Sequence, residues 1–249
     1  MVAITLTNSQ RSRLHRPILI EGLPGIGNVG KIAADILVEQ TKAKRLVAAR
    51  VDAKPGLVLV QQNGLVKFPE LALYHARVKQ QDFLFLVGDG QPSSDAATHE
   101  LAESLVRLVE SLDGRAIVTL GGIGLHELPE RPSVYVTGTD RVLIASFKKL
   151  GANPRVHGVV GPVLGFTGVA LGLAKGRVPA VALLGETLAH PFAIGLQGAE
   201  QLLRLFSKAY GFAIDLETLR ESIDALEAAM RGQPAGDLPK TRDETSYIG

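Results

Sequence analysis

The segment 21–31 (EGLPGIGNVGK) contains the residues of this sequence that are best placed for ligand chemistry. Gly25, Gly27 and Gly30 follow the G-x-G-x-x-G spacing with which dinucleotide-binding proteins bring a pyrophosphate to a helix N-terminus. In such proteins the strand runs almost directly into the first glycine, whereas four residues separate the predicted strand from Gly25 here. Asp52 follows the next predicted strand and is the candidate ribose-binding acid, somewhat further along than the usual ~20 residues. Dinucleotide binding is therefore one interpretation of this segment.

The same segment also matches most of a phosphate-binding P-loop, from Gly25 to Lys31. The next residue is Ile32, where that motif needs a serine or threonine hydroxyl to hold magnesium. Nucleotide hydrolysis by that mechanism is therefore not expected, although free N–H groups at a helix start can bind an anion. A third interpretation needs no ligand, because glycines permit a tight strand-to-helix turn and close packing of the helix on the sheet. The residues favour this tight turn and leave the other two interpretations open.

Four further residues lie where predicted strands end, which is where α/β folds place ligands. Asp89 and Glu186 each come just after a predicted strand, and Gly121 and Gly122 end another. Together with the glycine-rich turn they define a candidate ligand cleft. Its members are Gly25, Gly27, Gly30, Asp89, Gly121, Gly122 and Glu186.

The sequence does not contain a recognisable set of catalytic or metal-binding side chains. It has no cysteine, which excludes disulfides, thiol catalysis and cysteine-ligated zinc. Its six histidines do not have zinc-protease spacing, and no Gly-x-Ser-x-Gly nucleophile motif occurs. Ser93, Ser94 and Asp95 follow a predicted strand and begin a predicted helix, so helix capping explains them. We therefore predict no catalytic residue, no metal site and no cofactor, and a protein that is more simply a binding protein than an enzyme.

Strand-like apolar runs and helical periodicities alternate along the chain, which predicts an α/β fold with a mainly parallel sheet and helices on both faces. The continuous apolar run Phe83–Val87 is typical of a strand covered on both faces. Asn63-Gly64 predicts a β-hairpin in which both central residues have positive φ. The predicted strands are 18–20, 46–51, 57–62, 65–68, 71–78, 83–87, 116–120, 134–136 and 178–184. The predicted helices are 31–40, 95–112, 141–150, 165–174, 199–210 and 216–230.

Composition sets the predicted domain organisation and disfavours some partners. We predict one α/β domain over residues 1–232, including C-terminal helices, and a polar, proline-interrupted, flexible tail over residues 233–249.

The 27 basic residues nearly balance the 25 acidic ones, which does not favour a nucleic-acid partner. Residues 156–174 lack charge, but their glycines and Pro162 favour a buried loop and core helix over a membrane span. The lack of cysteine and of a signal-peptide pattern favours a cytoplasmic location.

Glycine-rich motifs recur after the predicted strands in a particular order. They are GLPGIGNVG at 22–30, GDGQ at 88–91, TLGG at 119–122, and the glycine-rich stretch 158–172 that leads to ALLGET at 182–187. In order and spacing they resemble the archaeal branch of the proteasome assembly chaperone family. The resemblance covers about residues 17 to 230, nearly all of the predicted folded part.

This resemblance implies a three-layer α/β fold like that of nucleoside phosphorylases. It also implies self-association into a homo-oligomer and, for archaeal members, binding to the proteasome core particle without a cofactor. Some relatives are associated with a ligase activity of the ATP-grasp type, and no residue pattern in this sequence supports that chemistry.

The C-terminal residues fit the same resemblance in part. Proteasome activators and several assembly chaperones end in a hydrophobic residue, a tyrosine and one further residue, and the tyrosine and terminal carboxylate enter pockets between core-particle subunits. This sequence ends in Tyr247, Ile248 and Gly249, so its tyrosine is third from the end instead of second. We predict that these three residues bind the partner, with an ordinary frayed terminus as the alternative. Several tails on one oligomer would gain affinity through effective concentration.

Two functional hypotheses follow from the sequence. The first is a non-enzymatic, homo-oligomeric homologue of proteasome assembly chaperones that binds the core particle partly through its tail. The second is an enzyme or sensor that binds a nucleotide or nucleoside in the glycine-rich cleft. A purely structural oligomer is a third possibility.

Overall fold

A seven-stranded sheet forms the centre of the fold in the computed structural model. The structure describes residues 4–49, 58–61, 63–158, 161–190 and 194–215. The strands are β1 (Ile18–Gly22), β2 (Lys44–Ala49), β3 (Leu59–Val60), β4 (Val66–Lys67), β5 (Leu71–Val78), β6 (Gln81–Gly88), β7 (Ala116–Leu125), β8 (Val134–Gly138) and β9 (Ala180–Leu188). The helices are α1 (Asn8–Arg11), α2 (Val29–Gln40), α3 (Asp95–Ser111), α4 (Arg141–Lys149), α5 (Gly165–Ala174) and α6 (Leu196–Tyr210).

The sheet has the strand order β2-β5-β6-β1-β7-β9-β8. Strands β6, β1, β7 and β9 pair in parallel at its centre. Strand β2 runs in the same direction, whereas β5 and β8 run in the opposite direction and pair antiparallel with their neighbours. The predicted α/β fold with a mainly parallel sheet is thereby confirmed.

Helices cover both faces of this sheet because alternate side chains of the central strands point to opposite faces. Helices α3 and α5 contact each other, and the apolar cluster that they form includes Leu84 and Leu86 of β6. Helices α2 and α6 contact each other as well. Phe83, which precedes Leu84 in β6 and points to the opposite face, packs against Tyr210 and Phe212 at the end of α6, with ring centroids 5.3 and 4.8 Å away. The run Phe83–Val87 therefore lies in a strand covered on both faces, as predicted.

Two strands extend further than the sequence predicted. Strand β7 passes through Gly121 and Gly122 to Leu125, and β9 passes through Gly185 to Leu188, so the prediction that glycines end these strands is wrong. The two strands pair in register from Ile117↔Ala180 to Leu125↔Leu188. This continuous pairing satisfies the backbone groups of the glycines. At Gly122 and Gly185 a Cβ would meet the carbonyl oxygens of Ile26 and Gly198, so another backbone segment approaches the sheet closely there.

The predicted hairpin is present with shorter strands and a wider turn. Val60 pairs with Val66, and the N–H of Gln61 donates to the carbonyl of Leu65. Gly64 has φ of 78°, whereas Asn63 is not at positive φ, so the prediction of a two-residue turn with two positive φ values is wrong. The Asn63 side chain instead accepts a hydrogen bond from the N–H of Leu65, as in an Asx turn.

A buried carboxylate fastens the N-terminal segment to the sheet. Asp82 of β6 accepts two hydrogen bonds of 2.7 Å from Arg77, and further ones from the backbone N–H of His15 and the ring of His75. Burial opposes ionisation of Asp82, but these donors outweigh it and lower its pKa to about 2.

The predicted helix 216–230, the predicted tail and Asp52 lie outside the described residues.

Candidate functional site

The ends of β1 and β7 form the crevice at which open α/β sheets bind ligands. The chain leaves β1 through α2 on one face, whereas β6 connects to β7 through α3 on the other face. Because these connections diverge, a gap opens beyond the carboxyl end of β1, beside the second half of β7. A cavity of about 420 Å³ lies there, which is within the range of small-molecule sites. Its lining residues are Leu23, Gly25, Ile26, Gly30, Gln91, Leu120, Gly121, Gly122, Ile123, Gly124, Gly161, Pro162, Val163, Leu164, Gly165, Thr167 and Leu184.

Two of the lining glycines are required by backbone packing. A Cβ on Gly30 of α2 would clash with the carbonyl oxygen of Leu120 in β7. A Cβ on Gly122 of β7 would clash with the carbonyl oxygen of Ile26, in the turn before α2. These glycines therefore let α2 lie directly on the sheet, as the tight-turn interpretation of the segment 21–31 requires.

Two other glycines of the turn have different surroundings. Gly27 has φ of 60°, a left-handed conformation that favours glycine. Gly25 is extended, and a Cβ there would meet no heavy atom within 4 Å. Gly25 therefore has neither a packing nor a backbone requirement for glycine, and its neighbourhood is open space at the cavity.

The polar side chains in the cavity wall hold its sides together. The Gln91 side-chain amide donates to the carbonyl of Pro24 at 2.7 Å and accepts from the N–H of Phe166 at 3.1 Å. It thereby ties the turn after β1 to the first turn of α5. Thr167 is the other polar side chain of the wall, and no described residue of the lining carries a charge. The wall is consequently suited to an uncharged, mostly apolar ligand.

A buried carboxyl group lies directly behind this wall. Glu21 of β1 is 1% exposed, and its Oε1 accepts from the N–H of Leu23 at 2.8 Å. Its Oε2 accepts from the hydroxyl of Thr167 at 3.3 Å. Burial raises the pKa of Glu21 to about 8, against the opposing effect of these two hydrogen bonds, because a charge is poorly solvated there. Glu21 is therefore mainly protonated at neutral pH.

Sequence reasoning missed Glu21, although a signal was present. Glu21 directly follows the apolar run Ile18-Leu19-Ile20 and precedes Gly22-Leu23. Extending the predicted strand by two residues would have placed a carboxyl group inside a doubly covered strand. A carboxyl group buried in this way must be protonated or hydrogen-bonded. Glu21 accepts two hydrogen bonds in the structure.

The structure brings together only some of the predicted cleft residues. Gly25, Gly30, Gly121 and Gly122 line the cavity, whereas Gly27, Asp89 and Glu186 are not part of its lining.

The two carboxylates of the predicted cleft make structural contacts elsewhere. Asp89 accepts from the Lys67 ammonium at 3.0 Å and from the N–H of Glu70 at 3.2 Å. Burial opposes its ionisation, but these donors lower its pKa below the usual value. Glu186 is a buried residue within β9 and accepts from the N–H of Ser133 at 2.7 Å.

The described parts of the chain offer neither a metal cluster nor a membrane span. No three histidine, aspartate or glutamate side chains within them are grouped as metal ligands would be. None of their helices combines the length and the apolar character needed to cross a bilayer. Tyr247, Ile248 and Gly249, the predicted partner-binding residues, lie outside the described residues.

Comparison with protein families gives a match over most of the chain. Residues 19–233 match the model of the PAC2 family. The chain belongs to the PAC2 family. The resemblance to proteasome assembly chaperones is thereby confirmed for the range that carries the glycine-rich motifs.

Individual relatives are similar over nearly their full length. An uncharacterized protein of Methanocaldococcus jannaschii is 30% identical over 246 residues, which is 95% of this chain and 93% of that protein. The crystal structure of Pyrococcus furiosus PbaB, an archaeal proteasome activator, is 27% identical with a TM-score of 0.80, over 93% of this chain and 97% of PbaB. Pyrococcus furiosus PbaA, an archaeal homolog of proteasome-assembly chaperone, has a TM-score of 0.76 at 22% identity, over 92% and 90% of the two chains. The similarity to PbaA shows a shared fold.

Proposed function

We propose that this PAC2 protein is a non-enzymatic, homo-oligomeric binding protein that associates with the proteasome core particle in the cytoplasm. The observation that supports this most is the similarity to the proteasome activator PbaB along 93% of the chain, at 27% identity. A shared fold alone would not carry a function, because one fold hosts many functions. Similarity in sequence and structure over nearly the whole of both chains is a stronger ground for a shared type of partner.

The arrangement of charged side chains at the sheet ends is consistent with a binding role. The carboxylates that could serve as acids or bases at the strand ends are engaged in structural hydrogen bonds. Asp89 is held by Lys67, and Glu186 by the backbone of Ser133. Glu21 is enclosed behind the cavity wall.

The C-terminal tail is the proposed docking element for the core particle. Tyr247 would supply an aromatic anchor, with Ile248 and Gly249 beside it. A tyrosine anchor suits an interface pocket because it buries a large apolar ring and still offers a hydroxyl group. Several tails on one oligomer would bind together more tightly than one tail alone.

Removing the tail tests its part in docking. We expect a chain cut after Lys240, and the variant Tyr247→Ala, to bind immobilised core particles at least about tenfold more weakly than the full chain, because aromatic anchors dominate such interfaces. Ser246→Ala is the matched control, since it changes the neighbouring residue without removing the ring. Equal binding by the full and the cut chain would remove the tail from the mechanism.

We propose a second candidate function for the cavity, in which the protein binds a small molecule as a sensor or enzyme. The supporting observation is the position of a cavity of about 420 Å³ at the topological switch between β1 and β7. Because its described lining is uncharged, a nucleoside fits this wall better than a nucleotide, for whose phosphates the described lining offers backbone N–H groups but no cationic side chain.

A thermal unfolding screen tests this second candidate. We expect a nucleoside to raise the midpoint temperature, because a ligand at 100 times its dissociation constant stabilises the native state by about 2.7 kcal/mol. Inorganic phosphate at the same concentration should leave the midpoint unchanged. A series of nucleosides and nucleotides without any shift would count against a ligand of this class.

A further inference from the structure

The hydroxyl of Thr167 is the polar group of the cavity wall whose orientation the wall itself does not fix. Both polar atoms of the Gln91 side-chain amide are engaged with backbone groups, at Pro24 and Phe166. Thr167 lies in the first turn of α5, is a buried residue and lines the cavity. Among the described residues its hydroxyl has one partner, the Oε2 atom of Glu21 at 3.3 Å. What Thr167 offers to the cavity therefore depends on Glu21.

The surroundings of Glu21 favour the protonated carboxyl group. Its partners in the flanking strands are Leu86 of β6 and Thr119 of β7, and Thr167 of α5 lies against it, so the contacts on this face of the sheet are uncharged. No cationic side chain of the described ranges pairs with it. A carboxylate enclosed in this way is poorly solvated and takes up a proton.

The position of this proton follows from the two hydrogen bonds of Glu21. Its Oε1 already accepts from the N–H of Leu23 at 2.8 Å, so the proton belongs on Oε2, which faces the Thr167 hydroxyl. One proton alone can fill the contact between Oε2 and Thr167. If Thr167 supplied it, the Glu21 proton would be buried without an acceptor. The protonated Glu21 therefore donates to Thr167, and the direction of this hydrogen bond reverses only when Glu21 ionises.

The proton of the Thr167 hydroxyl is consequently available to the cavity. Glu21 is 1% exposed and enclosed behind the wall, whereas Thr167 forms part of the wall itself. A hydroxyl whose oxygen accepts from Glu21 still has its own O–H to donate. The other described side chains of the lining are apolar, apart from Gln91. The wall thus presents one oriented side-chain donor in apolar surroundings, which is the pattern of a small-molecule site.

We propose that the Thr167 hydroxyl is the recognition group of the cavity and donates a hydrogen bond to an acceptor atom of an uncharged ligand, such as a ring nitrogen or carbonyl oxygen of a nucleoside base. Glu21 is its positioning residue, because the carboxyl proton directs the hydroxyl towards the ligand. This inference rests on the proposed small-molecule function of the cavity, and it adds the residue and the kind of ligand atom. Ionisation of Glu21 turns the hydroxyl back to the carboxylate and leaves the ligand atom without its donor.

Substitutions of Thr167 test the role of the hydroxyl. The probes are adenosine and cytidine, whose bases carry acceptor atoms and stay uncharged between pH 7 and 9, and isothermal titration calorimetry measures their dissociation constants. We expect the nearly isosteric Thr167→Val to raise the dissociation constant about tenfold, because the ligand acceptor is left unpaired. Thr167→Ser keeps a hydroxyl and should bind more tightly than Thr167→Val. Thr98→Val is the matched control, since Thr98 is a buried threonine of α3 outside the lining.

The pH dependence of binding tests the role of Glu21. With a pKa of about 8, its carboxyl group is mainly protonated at pH 7 and mainly ionised at pH 9. We expect the dissociation constant of the original chain to rise about tenfold between these pH values, as the protonated form is lost. In Glu21→Gln an amide N–H takes the place of the carboxyl O–H and cannot ionise. The ratio of the dissociation constants at pH 9 and pH 7 should therefore fall to about one in this variant.

The outcomes separate this inference from the proposed function of the cavity. If neither nucleoside binds the original chain, nucleoside binding and the inference are both contradicted. If a nucleoside binds and Thr167→Val binds it equally well, or Thr98→Val weakens binding to the same degree, only the inference is contradicted. A rise with pH that is absent from the original chain, or equally large in Glu21→Gln, contradicts the role of Glu21. This second comparison needs no Thr167 variant, so it decides even if Thr167→Val does not fold.

Discussion

Replacement of Gly30 by alanine is expected to destabilise the protein by about 3 kcal/mol, as measured by denaturant unfolding. The added Cβ would clash with the carbonyl oxygen of Leu120, and a backbone oxygen in a central strand cannot rotate away as a side chain would. The sign of the effect is informative. In an ordinary helix interior, alanine is more stable than glycine by about 1 kcal/mol, so a loss must come from this contact.

Gly25→Ala is the matched control for this substitution. Gly25 lies in the same turn and also lines the cavity, but a Cβ there would meet no heavy atom within 4 Å. We expect a change within about 0.5 kcal/mol. If Gly30→Ala were as stable as the original chain, the close packing of α2 on β7 would be contradicted.

The second large effect is expected at Glu21, whose replacement by glutamine should remove a pH dependence from the stability. The native pKa of about 8 lies above the ordinary value of 4.5, so the native state holds this proton more tightly than the unfolded state. The stability that depends on the protonated form is fully present below pH 4.5 and is lost as the pH rises towards 8. At pH 7 this loss is about 3 kcal/mol, since each pH unit above 4.5 contributes about 1.4 kcal/mol.

Glu21→Gln keeps an acceptor for the N–H of Leu23 and has no proton to lose. The difference in unfolding free energy between the variant and the original chain should therefore shift by about 3 kcal/mol in favour of the variant between pH 4.5 and 7. Denaturant unfolding at a series of pH values measures it. A difference that does not vary with pH would show that Glu21 is ionised in the native state.

Much of the architecture could be predicted because the apolar patterns are strong where the sheet is covered on both faces. The strand at Phe83–Val87 follows from a continuous apolar run, and the helix Asp95–Ser111 follows from side-chain periodicity. The ends of β7 and β9 could not be predicted in the same way. Whether Gly121 or Gly185 ends a strand depends on the neighbouring strand that pairs with it, and that neighbour is distant in the sequence.

The candidate site was predictable in part for a related reason. Glycines that follow strands indicate where the chain turns at the sheet edge, and four of the predicted residues do line the cavity. The pattern does not show which carboxyl group lies next to the cavity. Asp89 lies beside a lysine that is 22 residues away in the sequence, and Glu186 is inside a strand.

The role of Glu21 follows from its burial between β6 and β7, which flank β1. Such burial arises only in the assembled sheet, so it cannot be predicted from a short segment of the sequence.

The central claim is that this PAC2 protein binds the proteasome core particle, and sedimentation velocity of the labelled full chain with archaeal core particles tests it most directly. The proposal predicts that the label co-sediments with the core particle, and that an excess of unlabelled protein displaces it. Label that sediments only at its own rate, at micromolar concentrations of both proteins, would contradict the claim.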